Sequence, residues 1–530
     1  MTAVAASDQD FIVPAQGTDT SESFEDSEHS ENSEYSDHSN HEVPNRPRYD
    51  LDLPQMPEGG WKGWAGPLAA TALAAALRLP RLGTPHALVF DETYYAKDAL
   101  SLLKFGYERK VIDGANDVLL SGNADIFMPG PSYVVHPPLG KWVIALGEQL
   151  FGATPFGWRI AVAILGILSV LITARIARRL TRSNVIGTTA GLLVALDGLH
   201  IAMSRTALLD TPLSFFVLCA FGFLIIDRDR NRTRALHAHA PRAARVAMVL
   251  FLGCAISTKW SGVYFALAFG VLMLMWDFDN RRSRQTSAIV STWFRKDILP
   301  ALTMPIWALA IYLTSWIGWF HSTNAWSRKW KMAGDAHPDW MSSLAGLLHY
   351  HRDMLHFHTH LTSPHSYKAN PLGWPLMIRP TSFFYETEPT CGALRCSQEI
   401  IPLGNPVTWW GGAIALVVLA YFAFQRRHSA AAPIVFAFLA GWLPWVWFIN
   451  RTTFTFYSMV FFPYTAMAAA LMLFHVTRSR RHPEQDVWNR KLIGVLGVVA
   501  ILAIFFYPIN VGMSIPYDMW HIRMWLPGWV

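Results

Sequence analysis

The chain has 530 residues, of which 52% are hydrophobic and only 15% are charged. Soluble globular domains carry charge on about a quarter of their residues, so this composition excludes an ordinary soluble protein. It predicts a polytopic membrane protein, and the 23 Trp residues are typical of the aromatic belts at membrane interfaces.

The formal net charge of +6 hides a strong asymmetry along the chain. Residues 1–45 contain 11 Asp and Glu and no Lys or Arg, which leaves 44 basic against 27 acidic residues in the remainder. We attribute this positive excess to membrane topology first and to binding of anionic lipid or phosphate second. No basic motif is grouped for nucleic acid, so we predict no nucleic-acid partner.

The first 60 residues are rich in Ser, Glu, Asp, His and Asn. Such a segment cannot bury enough apolar surface to fold alone, and it lacks the basic start and the apolar core of a signal peptide. We expect residues 1–60 to form a disordered, acidic, cytoplasmic tail, followed by a transmembrane catalytic domain over 61–510.

About eleven apolar segments approach the roughly 20 residues that a helix needs to cross a bilayer. Two of them are short and must turn at Lys259-Trp260-Ser261-Gly262. The predicted spans are 64–82, 158–178, 184–203, 209–226, 244–258, 261–277, 298–319, 406–424, 432–449, 455–475 and 491–509.

Basic residues orient these spans, because they occupy alternate loops. Cytoplasmic loops are enriched in Lys and Arg, so the N-terminus is predicted to be cytoplasmic. The first outer loop, 83–157, then faces outward, as do the turn at 205–210, the large outer loop at 320–405 and the turn near Arg451. Residues 511–530 are expected to form an outer C-terminal tail.

Two adjacent carboxylates, Asp91 and Glu92, lie a few residues beyond the first span. The following residues alternate apolar and polar with helical spacing, which suits a helix lying flat on the bilayer surface. Asp91 stands where a helix N-cap would stand, so capping is the plain alternative to catalysis. Neighbouring helical side chains diverge by about 100°, so we expect the pair to divide roles rather than share one proton.

The apolar run at 136–152 is hydrophobic enough to be considered as a further span. It is short, contains Lys141 and Glu148, and would invert every basic loop after it. We predict instead a juxtamembrane or re-entrant helix on the outer face, with Pro137-Pro138 at its start.

Ionisable residues at membrane depth are functional candidates by default. Several lie between Asp197 and Asp210, and an Arg205–Asp210 ion pair that joins two spans is the structural alternative there. Snorkelling is the alternative for each remaining arginine. Near a carboxylate pair, we interpret four arginines at predicted outer span ends as a phosphate-binding rim: Arg78, Arg159, Arg205 and Arg451.

The large outer loop contains five histidines between His349 and His360 and one close cysteine pair. The histidine spacing arises easily in an amphipathic helix without a carboxylate shell, so we predict no metal site. Cys391 and Cys396 are expected to form a short disulfide if the loop faces an oxidising compartment.

Several motifs in combination resemble the bacterial protein O-mannosyltransferases, over about residues 62–510. The motifs are VFDETYYAKDA, HPPLGKW, SRTALLDTPLSFF, TKWSG, SPHSYKANPLGWPLMIRP and NRTTFTFYSMVFFPY. The resemblance implies an all-α polytopic protein with the GT-C glycosyltransferase fold, about 11 transmembrane helices and outer juxtamembrane helices.

The resemblance also implies a site. It makes Asp91 and Glu92 the catalytic pair. It places donor-phosphate or substrate contacts at residues within its motifs or at matching span ends, namely Arg78, His136, Lys141, Arg159, Arg205, Asp210, Lys368, Arg379, Arg451 and Tyr457.

Two departures from the eukaryotic relatives concern the large outer loop and the last motif. The loop of about 85 residues has no room for the β-trefoil domain that those relatives carry. The last motif reads Thr455-Phe456-Tyr457-Ser458, without the histidine that precedes the Tyr-Phe-Pro run in the relatives. Acceptor selection and donor contacts are therefore expected to differ.

The function implied is transfer of mannose from a polyprenyl-phosphate carrier to Ser or Thr of exported proteins, at the extracytoplasmic face of the cell membrane. Asp91 would act as general base in one inverting displacement, with no cofactor required. Membrane lipids and the secretion translocon are the further partners expected. A lipid-to-lipid sugar transferase of the same fold is the alternative. A transporter is a weaker one, because inverted repeats and midplane charges are not evident.

Overall fold

The computed structural model describes residues 60–233, 242–283, 288–330, 339–387, 390–425, 429–478 and 486–530. The predicted acidic tail therefore lies outside the described residues, except for Gly60. The described chain is mostly helical, as predicted, and two small antiparallel sheets supplement the helices.

The first half of the chain contains long helices and the shorter ones that connect them. In chain order they are α1 Lys62–Arg78, α2 Glu92–Phe105, α3 Ala115–Leu120, α4 Leu139–Phe151, α5 Pro155–Thr181, α6 Asn184–Ala195, α7 Gly198–Ser204, α8 Asp210–Thr233, α9 Ala243–Thr258 and α10 Gly262–Ser283.

The second half adds a further long apolar stretch, built from short helices around a π-helical turn, and four later bundle helices. The helices are α11 Ile289–Trp293, α12 Leu299–Ala301, α13 Met304–Ser315, α14 Ile317–His321, α15 Asp339–His360, α16 Pro406–Phe424, α17 Ala431–Trp447, α18 Phe462–Thr477, α19 Arg490–Val511 and α20 Tyr517–His521.

Helical structure is present at each of the eleven predicted spans. By length and composition, six helices of the described chain can cross a membrane, or seven if the bent pair α6–α7 is one span. Three further apolar helices, α9, α17 and α18, are shorter, and α1 has 17 residues. The chain is a multi-pass membrane protein, and the count of eleven spans remains a prediction.

The third predicted span, 184–203, was expected to be a single helix and is broken instead. Helices α6 and α7 meet at an angle of 63°. Asp197 caps the N-terminus of α7, since its Oδ1 accepts the backbone N–H of His200 at 3.0 Å. Its Oδ2 accepts hydrogen bonds from the backbone N–H of Asn405 and from Trp409 Nε1, both at 2.9 Å. A buried carboxylate with three donors thus fixes the bend.

Close packing among α1, α5, α6 and α7 depends on small residues, as is usual between membrane helices. A Cβ atom at Gly66 would lie 2.1 Å from Thr188 Oγ1, and one at Gly166 would lie 2.1 Å from Ser204 Oγ. A larger residue at either position requires its neighbour to move, so these glycines set the spacing between α1 and α6 and between α5 and α7.

The amphipathic helices α2 and α4 agree with the helix predicted after the acidic pair and the one predicted within 136–152. They pack on each other through a small core that includes Ala96, Ala99 and Ile144. Ser101 of α2 is fully buried, and its hydroxyl donates to Tyr107 C=O and accepts the N–H of Arg109.

The two sheets cover the end of the bundle at which α2 lies. Strands β1 Arg109–Val111 and β2 Phe127–Pro131 pair within the first loop. Strands β3 Phe384–Glu386, β4 Cys396–Ile400 and β5 Ser514–Pro516 pair in sequence order, which joins the large loop to the C-terminal segment. Cys391 and Cys396 are bonded in the turn between β3 and β4.

At the other end of the bundle, the basic residues of the predicted cytoplasmic loops are paired with carboxylates. Arg245 Nη2 lies 2.6 Å from Asp227 and its Nη1 lies 2.8 Å from Asp277. Asp229 in turn contacts Arg182 at 3.2 Å and Arg228 at 2.9 Å. This network ties α5, α8, α9 and α10 together at the end opposite to Asp210, which begins α8.

Candidate active site

The two carboxylates of the acidic pair have different environments, and Glu92 is the buried member. Its Oε1 accepts hydrogen bonds from Arg159 Nε at 2.8 Å and from the backbone N–H of Ala207 at 2.9 Å. Its Oε2 accepts from Arg159 Nη2 at 2.7 Å and from the backbone N–H of Val89 at 2.9 Å. All of the carboxylate's strong acceptor directions are therefore used internally.

Arg159, at the start of α5, completes this clamp. Beyond its two bonds to Glu92, Nη1 donates to the C=O of Leu82 and Pro85, at 3.2 and 3.1 Å. Nη2 also donates to Ala87 C=O at 2.8 Å. All five guanidinium protons are thereby committed, and the loop that leads to the acidic pair is attached to α5.

The backbone immediately before Asp91 adopts a strained conformation. Phe90 has φ of 51°, in the left-handed region that an aromatic residue rarely occupies. Its ring stacks on Phe383 at 4.7 Å and meets Phe456 edge-on at 5.5 Å. Such strain persists only where the surroundings enforce it. Here the aromatic contacts and the clamp on Val89 enforce it, and they direct Asp91 away from the clamp.

Asp91 occupies the N-cap position of α2 but does not cap it, because its side chain accepts no hydrogen bond from the helix. Within the described part of the chain, no hydrogen-bond partner of its carboxylate is present, and the residue is half-buried. Burial, opposed by Lys259 and reinforced by Asp210, raises the pKa of Asp91 to about 6. A carboxylate of this kind is a poised proton acceptor.

Lys259 is the charged group that faces Asp91. It lies at the C-terminus of α9, and its Nζ donates to both oxygens of Asp210, at 2.9 and 3.0 Å. Burial works against its charge, but the carboxylates of Asp210 and Asp91 keep the pKa of Lys259 above the usual value. The Arg205–Asp210 ion pair considered from the sequence is therefore wrong, since Asp210 is bound by Lys259.

A wall of aromatic and basic side chains borders this charge cluster. The ring of His136 lies 6.3 Å from Tyr95, one helical turn beyond Asp91, and 5.2 Å from His358. The Nε2 of His358 hydrogen-bonds Val135 C=O at 2.6 Å. Burial first, and then Lys259, lowers the pKa of His136 well below its ordinary value, so the imidazole is neutral and polar.

Arg451 and Tyr457 complete the wall from the segment before α18. Arg451 Nε donates to His358 C=O at 3.0 Å, and its guanidinium lies over Trp445 at 5.6 Å. Lys259 Nζ lies 4.9 Å from the centre of the Tyr457 ring. The structure thus brings together five of the predicted residues: Asp91, His136, Asp210, Arg451 and Tyr457.

Two of the predicted rim arginines bind backbone carbonyls instead of facing this space. The fully buried Arg78 donates to the C=O of Val194 and Ala195 at 3.0 Å. Arg205 donates to the C=O of Arg78 and Pro80 at 2.6 and 2.8 Å, which satisfies the C-terminus of α1. Arg159 is committed to its clamp, so Arg451 is the one of these four arginines that lies in the wall beside the charge cluster, although its Nε also donates to a backbone carbonyl.

The remaining predicted cations lie apart from Asp91. Lys141 is buried in contact with Glu108 and lies 3.9 Å from Asp98. Lys368 donates to Asn450 C=O at 3.0 Å. Arg379 donates to the C=O of Gly528 and Val530, both at 3.1 Å, and so holds the C-terminal segment. Their roles toward a donor remain predictions.

Sequence reasoning missed Lys259 and His358 as site residues. Lys259 was visible as a lysine in a short turn between two apolar segments, where a cation is costly unless it has a partner. His358 was one of five histidines with nothing in the spacing to distinguish it. In the described residues, no group of three or more His, Cys, Asp or Glu side chains is arranged to hold a metal ion.

Comparisons with known proteins match nearly the whole folded chain. Residues 68–323 match the family model for dolichyl-phosphate-mannose-protein mannosyltransferase. Residues 343–529 match the model for the C-terminal four-span region of protein O-mannosyltransferase.

Curated relatives and a solved structure agree with this match. A polyprenol-phosphate-mannose–protein mannosyltransferase of Mycolicibacterium smegmatis (strain MKD8) is 34% identical over 506 residues, covering 88% of this chain and 93% of the relative. One of the same name from Corynebacterium glutamicum is 31% identical over 476 residues, covering 84% and 88%. The donor-bound protein O-mannosyltransferase Pmt1–Pmt2 complex of S. cerevisiae superposes with a TM-score of 0.68 at 14% identity, covering 90% and 93%. The chain therefore belongs to the dolichyl-phosphate-mannose-protein mannosyltransferase family and has the GT-C glycosyltransferase fold.

Proposed function

We propose that this protein transfers mannose from polyprenyl-phosphate-mannose to Ser or Thr hydroxyls of polypeptides. The observation that carries the proposal is the Asp91 carboxylate, which is fixed at the start of α2, free of internal hydrogen bonds and adjacent to Lys259. The donor is the one named for the mycobacterial relatives and implied by the family.

In the proposed reaction, the acceptor hydroxyl oxygen attacks the anomeric carbon while the bond from that carbon to the phosphate oxygen breaks. Asp91 takes the hydroxyl proton as attack proceeds, because a neutral hydroxyl is a poor nucleophile. The leaving polyprenyl phosphate carries away the electron pair. Lys259 and Arg451 are the cations near enough to the cluster to stabilise its developing charge.

A single inverting displacement fits the arrangement of carboxylates. A double displacement needs a second carboxylate as nucleophile, close to the first. Glu92 has its oxygens filled by Arg159, Val89 and Ala207, and Asp210 is held by Lys259. Asp91 is the member of this group with an available carboxylate, so the reaction proceeds with one base.

We further propose that the N-terminus is cytoplasmic and that Asp91 faces the extracytoplasmic side. The concentration of arginines in the ion-pair network at the end of the helices opposite to Asp91 agrees with the positive-inside rule. On the extracytoplasmic side a lipid carrier leaves its phosphate at the membrane surface, and exported polypeptides, emerging from a translocon, become accessible.

Replacing the base should abolish transfer without damaging the fold. We expect Asp91→Asn to lower the rate of mannose transfer by about 100- to 10,000-fold, since general base catalysis contributes on that order. The measurement is incorporation of labelled mannose from polyprenyl-phosphate-mannose into a Thr-containing peptide. Asp117→Asn changes an exposed carboxylate of the same loop and is the matched control, so its rate of mannose transfer should equal that of the wild type. Wild-type turnover by Asp91→Asn, or label found only in lipid, would contradict the proposal.

The pH dependence of kcat/KM should reflect the ionisation of Asp91. Because the pKa of Asp91 is raised to about 6, its basic form is lost as the pH falls through that value. We therefore expect kcat/KM to be half-maximal near pH 6, to level off above about pH 7, and to fall tenfold per pH unit below about pH 5. The donor phosphodiester does not titrate in this range. A profile that is flat from about pH 5 to 8 would exclude Asp91 as the base.

Glu92 should act through position rather than chemistry. In Glu92→Gln, an amide N–H₂ must face donors from Arg159 or Val89, and Arg159 loses its buried counter-charge, which costs about 3–5 kcal/mol. We expect a clearly lower Tm in detergent together with lost activity, whereas Asp91→Asn retains the wild-type Tm. An inactive Glu92→Gln with an unchanged Tm would instead place Glu92 in the reaction.

The proposed orientation can be tested by cysteine labelling in intact cells. Tyr94, on α2, has 63% of its surface exposed, and Ser283 is exposed at the opposite end of the bundle, at the end of α10. A membrane-impermeant maleimide should label Tyr94→Cys in intact cells but Ser283→Cys only after permeabilisation. The reverse pattern would invert the topology.

A further inference from the structure

A pocket separate from the charge cluster lies between the first loop and α15. Its volume is about 490 Å³, and Arg352, His356 and Phe357 on its rim are exposed. Its lining consists of Tyr133, Trp326, Arg352, Asp353, His356 and Phe357. None of these residues has a part in the reaction proposed above.

The pocket shares a continuous wall with the candidate active site. Tyr133 is three residues before His136, in the non-helical segment that connects β2 to α4. On the facing helix, His356 and Phe357 directly precede His358, whose imidazole contacts both Val135 and His136. An occupant of the pocket therefore borders the same two elements that border Asp91.

The distance between the two places suits an extended polypeptide. Three residues from Tyr133 to His136 span at most about 10 Å. The ring of His136 is 6.3 Å from Tyr95, which lies one helical turn, about 6 Å, beyond Asp91. These steps add to about 22 Å at most, and four to six extended residues reach about 13–22 Å.

The chemistry of the lining selects among occupants. Tyr133 and Trp326 pack with their ring centres 5.4 Å apart, and Phe357 adds a third ring that is 36% exposed. Aromatic-lined grooves bind proline-containing extended segments, whose backbone is already ordered. Arg352 and Asp353 carry opposite charges, so the pocket has no net cationic character and is unsuited to a phosphate group.

We propose that this pocket is an acceptor subsite that holds a proline of the polypeptide four to six residues from the hydroxyl that receives mannose. The proposal rests on the proposed function. The side chain of Phe357 covers the proline ring, and the exposed guanidinium of Arg352 beside it donates to backbone carbonyls of the bound segment.

The test compares two acceptor peptides and two variants of the full-length enzyme. One peptide carries a single Thr with proline five residues away, and the other is a four-residue peptide with the same Thr and no proline. The variants are Phe357→Ala and, as matched control, Leu355→Ala, whose side chain is 54% exposed on the same helix but outside the pocket lining. Neither substitution removes a buried side chain.

We expect Phe357→Ala to raise the KM for the long peptide by about 5- to 10-fold, in the range for losing one aromatic contact in a binding site. Its kcat, and its KM for the short peptide, should equal those of the wild type, and Leu355→Ala should match the wild type on both. An unchanged KM for the long peptide, or an equal loss on both peptides, would overturn the subsite.

A second measurement does not depend on turnover. A photoreactive residue in place of the proline of the long peptide should cross-link to Tyr133 or within residues 352–357, and cross-links elsewhere would refute the assignment. If the wild type mannosylates neither peptide, the proposed function itself fails. That result differs from the failure of the subsite alone, in which both peptides are mannosylated and Phe357→Ala has no effect.

Discussion

The structure of the candidate site depends on the buried ion pair between Glu92 and Arg159. Breaking such a pair from one side leaves an unpaired charge away from water, which is why it constrains a structure so strongly. Here the pair also binds the backbone at Val89, Ala87 and Ala207, so it joins the loop before α2, the start of α5 and the segment before α8. Asp91 receives its position from this arrangement, although it takes no part in it.

The same division between support and chemistry applies to the cations. Arg78, Arg159 and Arg205 are bound to backbone carbonyls or to Glu92, as suits a planar group with five fixed donors. Lys259 is a compact charge on a flexible stem and stands beside Asp210 and Asp91. The guanidinium groups of these three arginines therefore hold the backbone around the site, whereas the ammonium group of Lys259 faces the space beside Asp91.

Hydropathy was sufficient to place helices at all eleven predicted spans, because a segment buried in lipid must satisfy its own backbone hydrogen bonds and therefore forms a helix. The helical spacing of apolar residues located α2, and the short apolar run at 136–152 located α4. Hydropathy could not place the bend at Asp197, which depends on Asn405 and Trp409, more than 200 residues away. The partnership of Lys259 with Asp210 and the clamp on Glu92 are equally non-local. The sequence suggested a pair between Arg205 and Asp210 because both lie near the same end of their spans. In the structure each binds a different partner: Arg205 binds backbone carbonyls at the C-terminus of α1, and Asp210 binds Lys259.

The separation between Asp91 and the pocket residues Tyr133 and Phe357 has an evolutionary consequence for the proposed function. Asp91 is positioned by interactions that reach into α5 and the segment before α8, whereas Tyr133 lies in the first loop and Phe357 on α15, and neither belongs to those interactions. Under the proposed subsite, substitutions in the pocket would leave the position of Asp91 unchanged. A lineage could then exchange one set of client polypeptides for another while it inherits the proposed chemical step unaltered.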